Sequence, residues 1–413
     1  MKRVLSLLLL TGSAYLFCCG TALAQDWPQW RGPGRDGTVA SFRAPAEWPV
    51  SLTAAWKVTI GEGHSQPLVA GNKVFTFARQ DEREVASCID LSTGKVLWSQ
   101  SYPVAYTMNE AATDHGKGPK STPVISNRRL YTLGITGVLS CYDASSGKLT
   151  WRKEFAERFK TTAPDYGTAM SPLIDRGLLI AHLGGHDLGA IIAFDAATGA
   201  EKWSWNGDGP AYASPVVVEL AGVRQIVTQT QKFLVGIAAA TGELLWQVPF
   251  TTEYDVNSVT PVIYKQTIVY SGAGRGTSAI RIVKDGARYK AERVWETSDV
   301  FMAYSTPVLR GDFLFGLSAK QKGEYFCMDA RSGKTTWKSN GRQGEHASIL
   351  IAGDLLFLLN NEAELTLAAA SADQFQSVKK YTVATSPTWA HPVLLGNRIL
   401  IKDKTTLALL NLQ

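Results

Sequence analysis

The chain has 413 residues, 19% charged and 45% hydrophobic, which excludes a disordered tail or a chain too small to bury a core. Its formal net charge is +6, or +4 without Lys2 and Arg3, and no basic run of the kind that tracks phosphates follows, so nucleic acid is not an expected partner. Glycine is frequent, and the 12 tryptophans suit regularly placed aromatic anchors between many tight turns.

The chain opens as an exported protein does. Lys2 and Arg3 precede an apolar run that begins at Val4 and reaches about Gly20, and Ala22-Leu23-Ala24 is a small-x-small cleavage site before Gln25. Residues 1–24 are read as a signal peptide, which predicts a periplasmic or secreted protein. The run is short for a membrane span of about 20 residues, and no later segment is apolar enough to cross a bilayer. Cys18 and Cys19 raise the question of lipidation; Phe17 stands where a lipobox carries a small residue, so lipid anchoring is not expected. Residues 25–49 read as an N-terminal extension.

From about residue 50 one unit repeats. A small or polar residue, a proline and a β-branched run recur from Gln66, Thr122, Ser171, Ser214, Thr260, Thr306 and His391, and Ser348 opens the same run without the proline. Each start leads through a turn to a second apolar strand, then to a third that ends at an aspartate. A "D-x-x-T-G" turn and a fourth strand with a tryptophan follow. The phrase stands at Asp90, Gly94 and Trp98, at Asp143, Gly147 and Trp151, and at Asp195, Gly199 and Trp203. It returns at Asp329, Gly333 and Trp337, while Gly242 and Trp246 keep its second half. Aspartate bonds its own following backbone, and glycine takes the left-handed conformation without a steric penalty.

Four short strands per unit, at a period in the forties or low fifties, predict propeller blades. Trp295 and Tyr381 end the fifth and seventh units. The eighth stops at Gln413 after three strands, and its missing strand is "AAWKVTI" around Trp56. The predicted fold is all-β: one eight-bladed propeller of four-stranded blades over residues 50–413, closed by pairing of N-terminal and C-terminal strands. Cys88, Cys141 and Cys327 each lie two residues before a repeat aspartate. Equivalent positions in different blades are too far apart for a disulfide, so these are expected to be buried free thiols.

The repeated "D-A-x-T-G-x-x-x-W" phrase resembles that of the pyrroloquinoline-quinone-like propellers. That family includes quinone-dependent alcohol dehydrogenases and a lipoprotein of the outer-membrane β-barrel assembly machinery. The resemblance covers about residues 50–413, and "DWPQWRGPGRDG", Asp26 to Gly37, is similar to the opening of secreted bacterial proteins of this class. The dehydrogenase branch implies an adjacent cysteine pair, calcium ligands from Glu, Asn and Asp, and a catalytic Asp. The adjacent pair here, Cys18-Cys19, lies inside the signal. The reading favoured is a non-catalytic binding or protein-interaction scaffold, with no cofactor and no metal, whose partner is an envelope protein or a small ligand. The alternative is an oxidoreductase that uses pyrroloquinoline quinone with calcium on alcohols or aldose sugars.

In such a ring the "D-x-x-T-G" turns share one face. The loops between the second and third strands, and those from each tryptophan strand to the next proline, share the other and vary most, so binding is expected there. "HLGGHD" sets His182 and His186 four apart across a strand end and a turn, with no third metal ligand nearby. "GAGRG", Gly272 to Gly276, joins two strands and opens no helix, which suits a hairpin and not a phosphate cradle. The long connection Ala105 to Lys120 reads as a solvated excursion or part of a binding rim. Counting three residues back from each proline position gives His64, Lys120, Ala169, Tyr212, Ser258, Tyr304, His346 and Trp389. They should ring the channel mouth, and their amphipathic side chains mark His64, Lys120, Tyr212, Tyr304, His346 and Trp389 as a candidate rim.

Overall fold

The computed structural model describes residues 26–413 apart from 41 and 161–163, so the signal-peptide reading and Cys18-Cys19 lie outside the described residues. Eight antiparallel sheets form a ring. In blade 1 the strands run outward as Leu68–Ala70, Lys73–Gln80, Arg83–Asp90 and Val96–Pro103, here called strands a to d. Blades 2 to 7 repeat this order along the chain. Blade 8 takes Val393–Leu395, Arg398–Lys402 and Thr406–Asn411 from the C-terminal end and Thr53–Thr59 as strand d, with Trp56 opposite Leu409. The ring therefore closes through the strand that carries Trp56, and no sheet edge is left between the two ends of the chain.

The middle strands are apolar along their length because both sheet faces are covered by neighbouring blades. Tyr131 and Cys141 of blade 2, for example, pack with Leu179, Ile192 and Phe194 of blade 3. Cys88, Cys141 and Cys327 are free and buried in such layers, and burial pushes each thiol up to about 11.

The repeat phrase is an inter-blade joint. Asp143 Oδ1 accepts the N–H groups of Ser145 and Ser146 and so shapes the turn. Gly147 then takes φ +74°, and a Cβ there would meet the Trp98 ring of the preceding blade at 2.7 Å. The Trp98 indole donates across the same joint to Ala144 O, as Trp203 does to Ala239 O and Trp295 to Ala330 O. Trp56 donates to Leu91 O, so blade 8 docks on blade 1 as the interior blades dock on one another. Blade 5 departs from the pattern. A long hairpin, Thr277–Asp285 and Arg288–Thr297, replaces its "D-x-x-T-G" turn, and Trp246 bonds Gln225 Oε1 within its own blade instead.

Blade 7 departs from four strands. Its inner strand Ala347–Ala352 starts early, since Ile349 stands where the other blades have a proline that cannot donate to a ladder. Thr38–Val39 adds to it in parallel as a fifth strand. The segment before that strand crosses the channel from the turn face. Asp26 caps the Gly71 N–H at the a–b turn of blade 1, Trp27 is fully buried and bridges to Val69, and Pro28 O accepts Ile125 N of blade 2. Arg31 donates to Pro307 O of blade 6 at 2.6 Å, and Arg35 to Ser171 O, Pro172 O and Pro215 O of blades 3 and 4 at 3.1–3.2 Å. The "DWPQWRGPGRDG" phrase is thus a plug that ties six blades together.

Candidate functional site

The plug turns the central channel into a blind cavity of about 480 Å³ that opens on the face of the varied loops. All eight residues counted three back from the proline position line it: His64, Lys120, Ala169, Tyr212, Ser258, Tyr304, His346 and Trp389. Each sits where the chain turns inward to strand a, so blade geometry brings together residues up to 325 positions apart, as His64 and Trp389 are.

Trp389 organises one side of the wall. It stacks on His346 at 5.0 Å with 9° between planes, and His115, His64 and Tyr304 approach at 4.6, 5.9 and 6.3 Å. His64 Nε2 lies 2.7 Å from His115 O, a carbonyl that only accepts, so His64 carries its proton on Nε2. Across the cavity Lys120 Nζ donates to Tyr166 O at 2.5 Å, and Tyr212 Oη accepts Tyr166 N at 3.2 Å. Burial pulls Lys120 down to about 8 and His346 to about 4, and holds His64 and His391 well below the usual imidazole value.

A second tier lies deeper. The residue just before each proline hands its N–H to the hydroxyl of the next blade: Gln66 N to Thr122, Thr122 N to Ser171, Ser171 N to Ser214, Ser214 N to Thr260 and Thr260 N to Thr306, all at 2.9–3.1 Å. These five hydroxyl oxygens accept from the backbone, and all five residues line the cavity. The series breaks at the seam near the plug. Gln66 there accepts Arg31 N and donates to Pro392 O, and His391 replaces the hydroxyl, buried and with Nδ1 unbonded. Trp30 forms the base, with the Arg31 and Arg35 guanidiniums 5.5 and 5.6 Å from its ring.

Sequence reasoning left Trp30, Tyr166, Glu253, Tyr254 and His391 unplaced. Of these, His391 was read only as the start of the eighth unit; its departure, with Gln66, from the Ser and Thr of the other starts is the signal that could have marked it. Tyr254 is 72% exposed at the mouth with φ +58°, a left-handed conformation rare for a tyrosine. The connection from Ala105 to Lys120 forms a short 3-10 helix, Glu110–His115, and supplies His115 and Lys120 to the wall. Gly272 to Gly276 joins two strands, and Ala273 touches the cavity. His182 and His186 do not converge: His182 is buried against Asp208 O, while His186 is at the surface near Asp187 and Asp255.

A plugged repeat propeller with an inward-facing varied rim defines the class. The chain belongs to the family described as outer membrane protein assembly factor BamB, whose signature matches residues 81–339, more than half of its length. It is 22% identical over 377 residues to the protein of that name from Yersinia pestis, covering 86% of this chain and 87% of the other. It is 23% identical to that from Bordetella pertussis, covering 70% and 68%. The crystal structure of BamB from Moraxella catarrhalis superposes with a TM-score of 0.63 at 13% identity, over 88% of this chain and 98% of that one. The quinohemoprotein alcohol dehydrogenase of Comamonas testosteroni superposes with 0.66 at 14% identity, over 94% and 80%, which is a likeness of fold.

That second likeness raises the quinone and its calcium. Calcium takes six to eight oxygen ligands, carboxylates foremost. The cavity wall carries one carboxylate, Glu253, at the exposed rim, and no Asp or Asn. No group of three His, Cys, Asp or Glu is arranged to hold a metal among the described residues. The three described cysteines are single and buried, so no adjacent pair lines the site. The residues present do not fit a calcium-held quinone.

Proposed function

We propose that the protein is a non-catalytic binding scaffold of the bacterial envelope, acting in outer-membrane protein assembly as its family relatives are named for. The face with the varied loops and the cavity mouth engages the partner, an envelope protein. The observation that carries this reading is the convergence of the eight strand-start residues on one mouth, where a purely structural position would tend to one residue type. Tyr254 and Tyr304, 72% and 46% exposed there, are of the type that anchors protein interfaces. The signal peptide read in residues 1–24 fits the same compartment, and no helix among the described residues is long and apolar enough to cross a membrane.

The test is capture from envelope extract by wild type and by Tyr304→Ala and Trp389→Ala. Loss of the captured protein with an unchanged melting curve supports the reading. Unchanged capture by both variants overturns it, as would retained quinone with dye reduction on alcohols.

A further inference from the structure

We infer that the blind cavity is a metal-free receptor for a small organic anion, a carboxylate or phosphate carried on an aromatic or apolar body. This goes beyond partner docking at the rim and does not rest on it.

Arg31 and Arg35 are buried behind Trp30, and Lys120 stands in the wall. None of the three has a carboxylate within ion-pair distance among the described residues; their partners are backbone carbonyls and the Gln29 side chain. Glu253 lines the rim and is exposed, and Asp114, Asp165 and Glu345, which act on cavity residues from outside its lining, are exposed as well. Apart from the exposed Asp36 of the plug, which attracts Arg31, positive charge thus lies deep and negative charge lies at the edge.

The hydroxyls of Thr122, Ser171, Ser214, Thr260 and Thr306 spend an oxygen lone pair on an inter-blade N–H. Among the described residues their protons have no acceptor, and the five residues line the cavity. A carboxylate or phosphate is the group that takes several such donors at once. His391, nine-tenths buried with Nδ1 unbonded, adds a polar atom without a protein partner at the same depth. For the body of the ligand, Trp389, Tyr304, Tyr212 and Trp30 give apolar faces on opposite sides, and about 480 Å³ suits a small molecule. The wall lacks the oxygen ligands of a calcium site, so the protein's own cations replace a bound metal.

Titration of the mature protein with benzoate, phenyl phosphate, benzamide and benzylammonium, followed by calorimetry and by tryptophan fluorescence, tests this. The two anions should bind and the neutral and cationic probes should not. Lys120→Gln should weaken anion binding about tenfold, the size of one lost charge-assisted bond, and Lys120→Arg should restore it. Calcium or a chelator should change nothing. Equal binding of benzamide, preference for benzylammonium, a calcium requirement, or no anion binding at millimolar concentration would each overturn the inference. Loss of anion binding in Lys120→Gln with envelope capture intact leaves the scaffold reading standing, so the two fail separately.

Discussion

Removing the Trp56 side chain tests whether the ring is held shut by the same joint that links its interior blades. Trp56 is 9% exposed, donates to Leu91 O at 2.9 Å, and seats its ring where a Cβ on Gly94 would lie 2.9 Å away. Truncating a buried tryptophan destabilises by about 3–5 kcal/mol, and the orphaned Leu91 carbonyl falls within that figure. A domain is stable by only about 5–15 kcal/mol, so Trp56→Ala should remove a large share of the total. The loss falls on one seam, between blades 8 and 1, where strand Thr53–Thr59 is held to Thr406–Asn411. Urea unfolding followed by far-ultraviolet circular dichroism should show a much lower midpoint. Limited proteolysis under native conditions should cut near residues 49–60 before any interior blade. Trp151→Ala, in an interior joint, is the control: a comparable midpoint without the early N-terminal cut. A Trp56→Ala midpoint within about 0.5 kcal/mol of wild type would refute ring closure through this residue.

Arg35→Met should loosen the plug, because three channel carbonyls lose a charge-assisted donor; about 2–4 kcal/mol and early proteolytic release of residues 26–39 are expected, and an uncut plug would refute the assignment. Thr260→Val keeps shape but removes the acceptor for Ser214 N, so it should lower stability by about 1–2 kcal/mol while Thr260→Ser stays near wild type; equal midpoints would show that the hydroxyl ring is not structural. His182 and His346 are buried and neutral, with folded values near 4 against an ordinary 6.5, so their stabilisation is complete above about pH 6.5 and is lost as pH falls towards 4. The loss is about 2 kcal/mol each by pH 5, partly offset by Glu84, whose raised value works the opposite way, and a melting temperature flat from pH 7.5 to 5 would refute it.

The architecture was legible because its signals are periodic and chemical at once. Each proline marks the start of an inner strand, and each turn glycine is required by a tryptophan from the blade before. The composite eighth blade followed from a missing fourth strand at one end and an unclaimed "AAWKVTI" at the other. The upper ring of the cavity, His64 to Trp389, followed from counting back from the prolines, since a ring converts equivalent sequence positions into neighbours. The plug was not legible. Arg31 and Arg35 bind the carbonyls of Ser171, Pro172, Pro215 and Pro307, groups that every residue owns, so no side-chain pattern announces the contact. Tyr254 was missed for a related reason, because its place depends on a local left-handed backbone and not on the repeat. Blade 5 shows the converse. Its sequence lacks the "D-x-x-T-G" phrase, but nothing in the repeat marks Gln225 as the partner that Trp246 finds instead.

The composition of the plug bears on what the cavity is for. A channel can be sealed by apolar side chains alone, and replacing buried charges by well-packed hydrophobic residues is often neutral or stabilising. This protein instead carries two guanidiniums into the channel, and among the described residues neither forms a salt bridge, although the exposed Asp36 carboxylate attracts Arg31. Burial lowers them to about 10 and 9, yet both remain protonated near neutral pH. The carbonyls they bind explain how the charges are tolerated. They do not account for two charges, since neutral donors such as the Gln66 amide satisfy the same kind of carbonyl at Pro392. What cations add over amides is a field that reaches past Trp30 into the cavity, where five hydroxyl protons and Lys120 meet it. On the anion-receptor inference, the polarity of the base serves the space above it, and the exposed carboxylates stay at the edge where water screens them.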